Sequence, residues 1–134
     1  MERVKTAARW GLGLLMIAAG LGHFTNTAVY MALMPPWMPM HLELVYLSGV
    51  IEAGLGALLL YRPSSRLAAW GLIACFIAIF PANLHHALSG GLSDPALPPF
   101  FASPVVAWLR VPFQIVFIGW AWMLTRDEPR PPAT

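Results

Sequence analysis

The chain contains, from Leu67 to Leu88, the stretch LAAWGLIACFIAIFPANLHHAL. It is apolar as far as Phe80 and then continues into a proline, an asparagine and two adjacent histidines. Its length is close to the ~20 residues with which an α-helix crosses a hydrocarbon core of ~30 Å. A helix that only crosses lipid has no use for amide and imidazole groups, so this stretch predicts both a membrane span and a functional site.

The rest of the chain has the same apolar character. Of its 134 residues, 58% are hydrophobic and only 10% are charged, whereas soluble domains carry roughly 25% charged residues. Backbone groups in lipid have to bond internally, so segments of this kind are expected to be helices. We predict an all-α, four-helix transmembrane bundle forming a single domain over residues 1–134, with a disordered tail at 125–134. The predicted spans are about 10–27, 44–61, 67–88 and 105–124.

The basic residues predict the orientation. Seven of the eight Lys and Arg flank the spans on one side: Arg3, Lys5, Arg9, Arg62, Arg66, Arg126 and Arg130. The positive-inside rule makes this side, with both termini and the Arg62–Arg66 turn, cytoplasmic. The proline-rich loops Tyr30–His41 and Ser89–Pro104 then lie on the outer face of a bacterial-type cytoplasmic (inner) membrane. This distribution explains the net charge of +2 without a nucleic-acid partner, and the bilayer is the expected partner.

The polar side chains inside the predicted spans share the outer half of the bundle, at a rise of ~1.5 Å per residue. They are His23, Glu52, Asn83, His85, His86, Arg110 and Gln114. An ionisable group in a span costs several kcal/mol unless it is paired, so it is a functional hypothesis by default. We expect these groups to converge on one polar pocket. The alternative is a structural network in which Glu52 pairs with Arg110 and His23. His85 and His86 lie ~100° apart, so only one is expected to point inward.

A quinone-like ligand is the leading hypothesis, because its carbonyl oxygens need hydrogen-bond donors inside an apolar site. In this interpretation Glu52 and His85 are the catalytic, proton-transferring groups. The ligand-binding groups are His23, Asn83, Arg110, Gln114, Trp37 and Trp108, the two tryptophans serving as aromatic contacts or interface anchors.

Two other functions stay open. A metal-dependent membrane enzyme would use His23, His85 and His86 as ligands of a transition metal, and Met31, Met34, Met38 and Met40 beside His41 are soft ligands of the kind that bind Cu(I). No HxxxH or CxxC spacing supports a metal site. The third hypothesis is that the protein is a non-catalytic subunit or a small-solute permease.

A weak repeat relates the two halves of the chain. At an offset of 63 residues, His23 corresponds to His86, Pro35-Pro36 to Pro98-Pro99, and Trp37 to Phe100. The chain is therefore interpreted as two helical hairpins of similar design, related by an axis along the membrane normal.

Six short motifs resemble the DoxX-like small membrane proteins. They are GHF at 22–24, MPPWMP at 34–39, SGVIEAGLG at 48–56, RLAAWG at 66–71, FPAN at 80–83 and LRVPFQ at 109–114. The resemblance extends from about Trp10 to Trp122. It implies a four-helix membrane protein associated with oxidoreductase systems, including thiosulfate and quinone chemistry, and hence a membrane or periplasmic oxidoreductase partner. His85-His86 is less typical of that family. Small residues such as Gly20 permit close helix contacts within a chain or in a homo-oligomer.

Overall fold

The computed structural model describes residues 2–126, and this part of the chain is helical with no strands. The helices are α1 (Glu2–Thr25), α2 (Thr27–Leu33), α3 (His41–Leu60), α4 (Arg62–Leu88) and α5 (Pro104–Leu124), with a 3-10 turn at Pro99–Ala102. All but α2 are long and apolar enough to cross a membrane. The predicted all-α class and its four helices of spanning length are confirmed. Beyond Arg126, the tail predicted to be disordered lies outside the described residues.

The long helices pack in the order α1, α3, α4, α5, and a smaller contact between α5 and α1 completes the bundle. At one end, Glu2 Oε1 lies 3.5 Å from Arg62 Nη2. At the same end, Trp120 Nε1 donates to the Ala8 carbonyl oxygen at 2.9 Å. We call this the terminal end, and we call the opposite end, which holds α2 and the 3-10 turn, the loop end.

Two connections differ from the sequence prediction. The expected turn at Arg62–Arg66 is the first turn of α4, and only Tyr61 separates α4 from α3. Pro63 explains this difference, because proline suits the first helical turn, where no N–H is needed. The loop predicted at Tyr30–His41 is partly helical, since α2 covers Thr27–Leu33.

The apolar core fills the half of the bundle nearer the terminal end. Its largest fully buried side chains are Leu12, Leu59, Leu72 and Leu124. Buried polar residues occur at both ends: Arg9, Ser65 and Thr125 lie at the terminal end, and His23, Glu52, Asn83, His86 and Gln114 lie farther toward the loop end than this core. The second group forms the candidate site.

Glycines let α1 and α3 approach each other at backbone distance. A Cβ added to Gly20 would lie 2.6 Å from the Gly49 carbonyl oxygen, and one added to Gly56 would lie 2.7 Å from the Gly13 carbonyl oxygen. Small residues permit such close crossings in membrane helices. The Cβ of His23 would itself be 2.7 Å from a Cβ added to Gly49. This crossing therefore sets the imidazole directly against α3.

Candidate functional site

A buried imidazole–carboxyl pair joins α1 to α3. His23 Nε2 lies 3.0 Å from Glu52 Oε2, and the two side chains are 7% and 6% exposed. His23 Nδ1 lies 2.8 Å from the Val45 carbonyl oxygen and 3.1 Å from Ser48 Oγ. A carbonyl oxygen only accepts hydrogen bonds, so Nδ1 carries a hydrogen and donates it.

This geometry fixes how many protons the pair holds. With Nδ1 occupied by its own hydrogen, the contact between Nε2 and Glu52 needs one further hydrogen. That hydrogen resides either on the imidazole, giving an imidazolium and a carboxylate, or on the carboxyl group, giving two neutral partners. His23 and Glu52 together therefore hold one proton that can move between them.

Tyr30 of α2 covers this pair from the loop end. Its ring stacks on the His23 imidazole with the centroids 3.9 Å apart and the planes at 29°. The half-buried hydroxyl donates to the Ala19 carbonyl oxygen at 3.5 Å. Burial raises the pKa of this hydroxyl above its ordinary value, Glu52 raises it further, and Arg110 lowers it. Tyr30 is thus within electrostatic reach of a charged residue on each side of the bundle.

A second cluster joins α4 to α5 through side-chain amides. Gln114 Nε2 donates to the Phe76 carbonyl oxygen, and Gln114 Oε1 accepts from Asn83 Nδ2. Asn83 Oδ1 is buried with no hydrogen-bond partner among the described residues. This cluster therefore holds two helices together and leaves one acceptor unused.

Arg110 and His86 extend this second cluster toward the loop end. Arg110 Nη1 lies 2.8 Å from His86 Nδ1, and His86 Nε2 lies 2.9 Å from the Phe101 carbonyl oxygen. A guanidinium only donates, so Nδ1 has no hydrogen and Nε2 has one. His86 is completely buried. The Arg110 guanidinium also lies 5.6 Å from the centroid of the Phe101 ring. His86 is therefore a neutral imidazole that ties the 3-10 turn to α4 and α5.

The predicted site residues form two clusters. His23 and Glu52 meet in one, and Asn83, Gln114, His86 and Arg110 form the other. No hydrogen bond within residues 2–126 joins the two clusters. Of the two partners that the structural alternative gave Glu52, the structure shows His23 at 3.0 Å, and Arg110 bonds to His86 instead.

Of the two adjacent histidines, His86 points into the bundle. His85 is half-buried, and its ring makes no hydrogen bond to any described residue. The predicted aromatic contacts Trp37 and Trp108 are 66% and 50% exposed. Neither makes a polar or ring contact within the described part of the chain, so the structure separates these three residues from both clusters.

Two residues of the site were not singled out from sequence. Ser48 donates to the Val45 carbonyl oxygen at 3.0 Å and orients the same acceptor that His23 uses. Its position four residues before Glu52 places both on one face of α3, which is a signal that could have found it. Tyr30 follows a break after Thr25, so no helical spacing relates it to His23.

The three candidate metal ligands do not come together. Within residues 2–126, no group of three or more His, Cys, Asp or Glu side chains is close enough to hold a metal ion. His23 and His86 lie in different clusters, and both ring nitrogens of each are in hydrogen bonds or an ion pair. His41, beside the methionines, donates from Nε2 to the Pro35 carbonyl oxygen at 3.1 Å.

Fold and site define a small helical protein with four helices of membrane-spanning length and two buried polar clusters. The chain belongs to a family described as a domain of unknown function (DUF8561), whose model matches residues 12–125. This range includes α3, α4 and α5 entirely, and both clusters. No curated protein and no solved structure matches the chain.

Proposed function

We propose that the protein binds a quinone-like ligand in the loop half of the bundle, between the two polar clusters, as a DoxX-like component of a membrane redox system. It resides in a bacterial-type cytoplasmic membrane with the loop end outside and both termini inside. The distribution of Lys and Arg supports this orientation. A membrane or periplasmic oxidoreductase is the electron-transferring partner.

The observation that carries the proposal is the buried His23–Glu52 pair with its single mobile proton. Reduction of a quinone to a quinol takes two electrons and two protons. The electrons come from the redox partner, the His23–Glu52 pair supplies one proton to a quinone oxygen, and water at the loop end supplies the second proton and then returns a proton to the pair. A carboxyl group and an imidazole suit such a transfer, since each exchanges protons readily when its environment is tuned.

The second cluster supplies polar contacts for the same ligand. Arg110 uses Nη1 on His86 and has further N–H groups that can donate to a carbonyl oxygen. Gln114 is engaged at both ends of its amide, so it acts on the ligand only by positioning Asn83. Tyr30, whose ring stacks on the His23 imidazole, is the side chain that covers the ligand.

The test has a binding step and a proton step. Protein purified in mild detergent is extracted with organic solvent, and we expect a lipoquinone in near-stoichiometric amount by mass spectrometry. Infrared difference spectra recorded on reduction of the bound quinone should contain a carboxyl band that is absent from Glu52→Gln. The matched control is Glu43→Gln, which changes an exposed carboxyl of the same helix and should keep the band.

Two results would overturn the proposal. The first is a preparation that contains no lipophilic redox compound and does not take up added decylubiquinone. The second is a Glu52→Gln protein that is less stable but has an unchanged infrared difference spectrum, because this pattern means that the pair serves only to hold α1 against α3.

A further inference from the structure

We propose that Asn83 Oδ1 accepts a hydrogen bond from the ligand, so that the site holds a hydroxyl-bearing ligand, such as a quinol or another alkylated phenol. The inference rests on the proposed function and deepens it by naming the form of the ligand that the site prefers. It follows from an acceptor that the fold buries without using.

Asn83 is only 8% exposed, and its Oδ1 has no hydrogen-bond partner among residues 2–126. Buried polar atoms are nearly always hydrogen-bonded, because an unmet acceptor keeps the whole cost of losing its water. An exception calls for a physical explanation. The neighbouring amide of Gln114 does not supply it, since both of its ends are already engaged.

The identity of the unused atom follows from the hydrogen-bond chain. The Phe76 carbonyl accepts, so the Gln114 atom facing it is the nitrogen. Gln114 then presents its oxygen to Asn83, and the Asn83 atom facing that oxygen is likewise the nitrogen. Exchanging the ends of either amide would set two acceptors or two donors against each other. The atom of Asn83 that points elsewhere is therefore its oxygen.

A carbonyl oxygen binds only a donor, which restricts the ligand. An oxidised quinone offers acceptors alone, whereas its reduced form carries two hydroxyl groups. A cationic donor is disfavoured, because Arg110 already places a positive charge one helical turn from Gln114, on the same face of α5. A neutral hydroxyl satisfies Oδ1 without bringing a second positive charge.

The helix that carries Asn83 favours a ligand that arrives from lipid. Asn83 belongs to α4, one of the helices of membrane-spanning length. Its amide faces the bundle, while Ile77 and Leu88 are 59% and 69% exposed, lie more than ~100° around the helix from it, and make the outer surface of α4 apolar. An alkylated phenol combines the required hydroxyl with a tail that partitions into the bilayer.

The experiment compares three probes of one skeleton on the purified full-length protein: a decyl-substituted hydroquinone, its quinone and its dimethyl ether. Affinities are measured in detergent by quenching of tryptophan fluorescence. We expect the hydroquinone to bind about tenfold more tightly than the other two, the typical effect of one buried hydrogen bond. A tenfold preference for the reduced form also raises the midpoint potential of the bound two-electron couple by about 30 mV.

Two variants separate the acceptor from the amide link. Asn83→Leu removes both, and the preference for the hydroquinone should disappear. Gln114→Leu removes the same amide link, which positions Asn83, so all three probes should bind more weakly; it keeps Asn83 Oδ1, so the hydroquinone should still bind more tightly than the quinone and the dimethyl ether. Should Asn83→Leu fail to fold, Asn83→Ala replaces it.

The outcomes distinguish this inference from the proposed function. Equal binding of all three probes would overturn this inference, because it means that Oδ1 bonds to a water molecule and not to the ligand. The proposal of a quinone-like ligand would still stand. A preference that persists in a folded Asn83 variant also overturns it. Failure of every probe to bind removes the proposed function, and the inference falls with it.

Discussion

The bundle consists of two hairpins, α1 with α3 and α4 with α5. Each hairpin contains a buried histidine that bonds to a backbone carbonyl and to an ionisable residue of the next long helix. That residue is acidic in the first hairpin and basic in the second. His23 uses the Val45 carbonyl and Glu52, while His86 uses the Phe101 carbonyl and Arg110. The two histidines also use opposite nitrogens for the carbonyl, Nδ1 in His23 and Nε2 in His86.

This difference separates a movable proton from a fixed one. A carboxyl can give or take the hydrogen that it shares with an imidazole, so the His23–Glu52 pair has two arrangements of one proton. A guanidinium cannot be deprotonated in a protein, so Arg110 holds His86 in one neutral tautomer. The two histidines that correspond in the sequence are thus both buried and both bonded to a carbonyl, but their partners Glu52 and Arg110 are not related by the same offset.

The largest expected effect is on how α1 packs against α3 within the first hairpin. Gly20→Val places a Cβ 2.6 Å from the Ala53 amide nitrogen, so the backbones of α1 and α3 have to separate. Overpacking of this kind costs up to about 3 kcal/mol, and it also pulls His23 away from Glu52. Thermal unfolding in detergent should show the loss.

Gly54→Val is the matched control, because a Cβ at Gly54 meets nothing within 4 Å in the described part of the protein. It makes the same substitution in the helix that packs against Gly20. If the two variants lost equal stability, the close approach of α1 and α3 at Gly20 would not be what positions His23.

A smaller loss is expected when His86 is removed. His86→Leu leaves the Arg110 guanidinium without its acceptor and the Phe101 carbonyl without its donor, and bonds to a charged group contribute about 2 kcal/mol. His85→Leu makes the same change one residue away, where the half-buried ring has no hydrogen bond to a described residue. We expect it to change the free energy of unfolding by less than about 0.5 kcal/mol. The reverse order would mean that His85 is the residue that ties the loop to the bundle.

The bundle could be predicted from sequence because composition and segment length decide it in a membrane. Most of the buried polar residues could also be found by their depth in the spans, since an amide or ionisable group there is conspicuous. Their pairing stayed open between His23 and Arg110 as partners of Glu52, because helical spacing gives the face of each residue but not which helix packs opposite. Glu52 pairs with His23 because glycines bring α1 and α3 together. The role of His86 depends on its hydrogen bond to the Phe101 carbonyl. Every residue has a backbone carbonyl, so the sequence cannot show which one accepts this bond.

The smallest effect on stability is expected from Glu52→Gln, which removes the hydrogen shared by Glu52 and His23. The same variant should have the clearest effect on which imidazole nitrogen carries a hydrogen. In protein labelled with nitrogen-15 in its imidazole rings, NMR should find His86 with its hydrogen on Nε2. His23 should have a hydrogen on Nδ1, while its Nε2 signal reports a hydrogen shared with Glu52. In Glu52→Gln the new amide donates to Nε2, so the unfolding free energy falls by only about 1 kcal/mol and the Nε2 signal becomes that of an acceptor nitrogen without its own hydrogen. A hydrogen on Nδ1 of His86, or a His23 Nε2 signal that still reports sharing in Glu52→Gln, would remove the contrast between the hairpins.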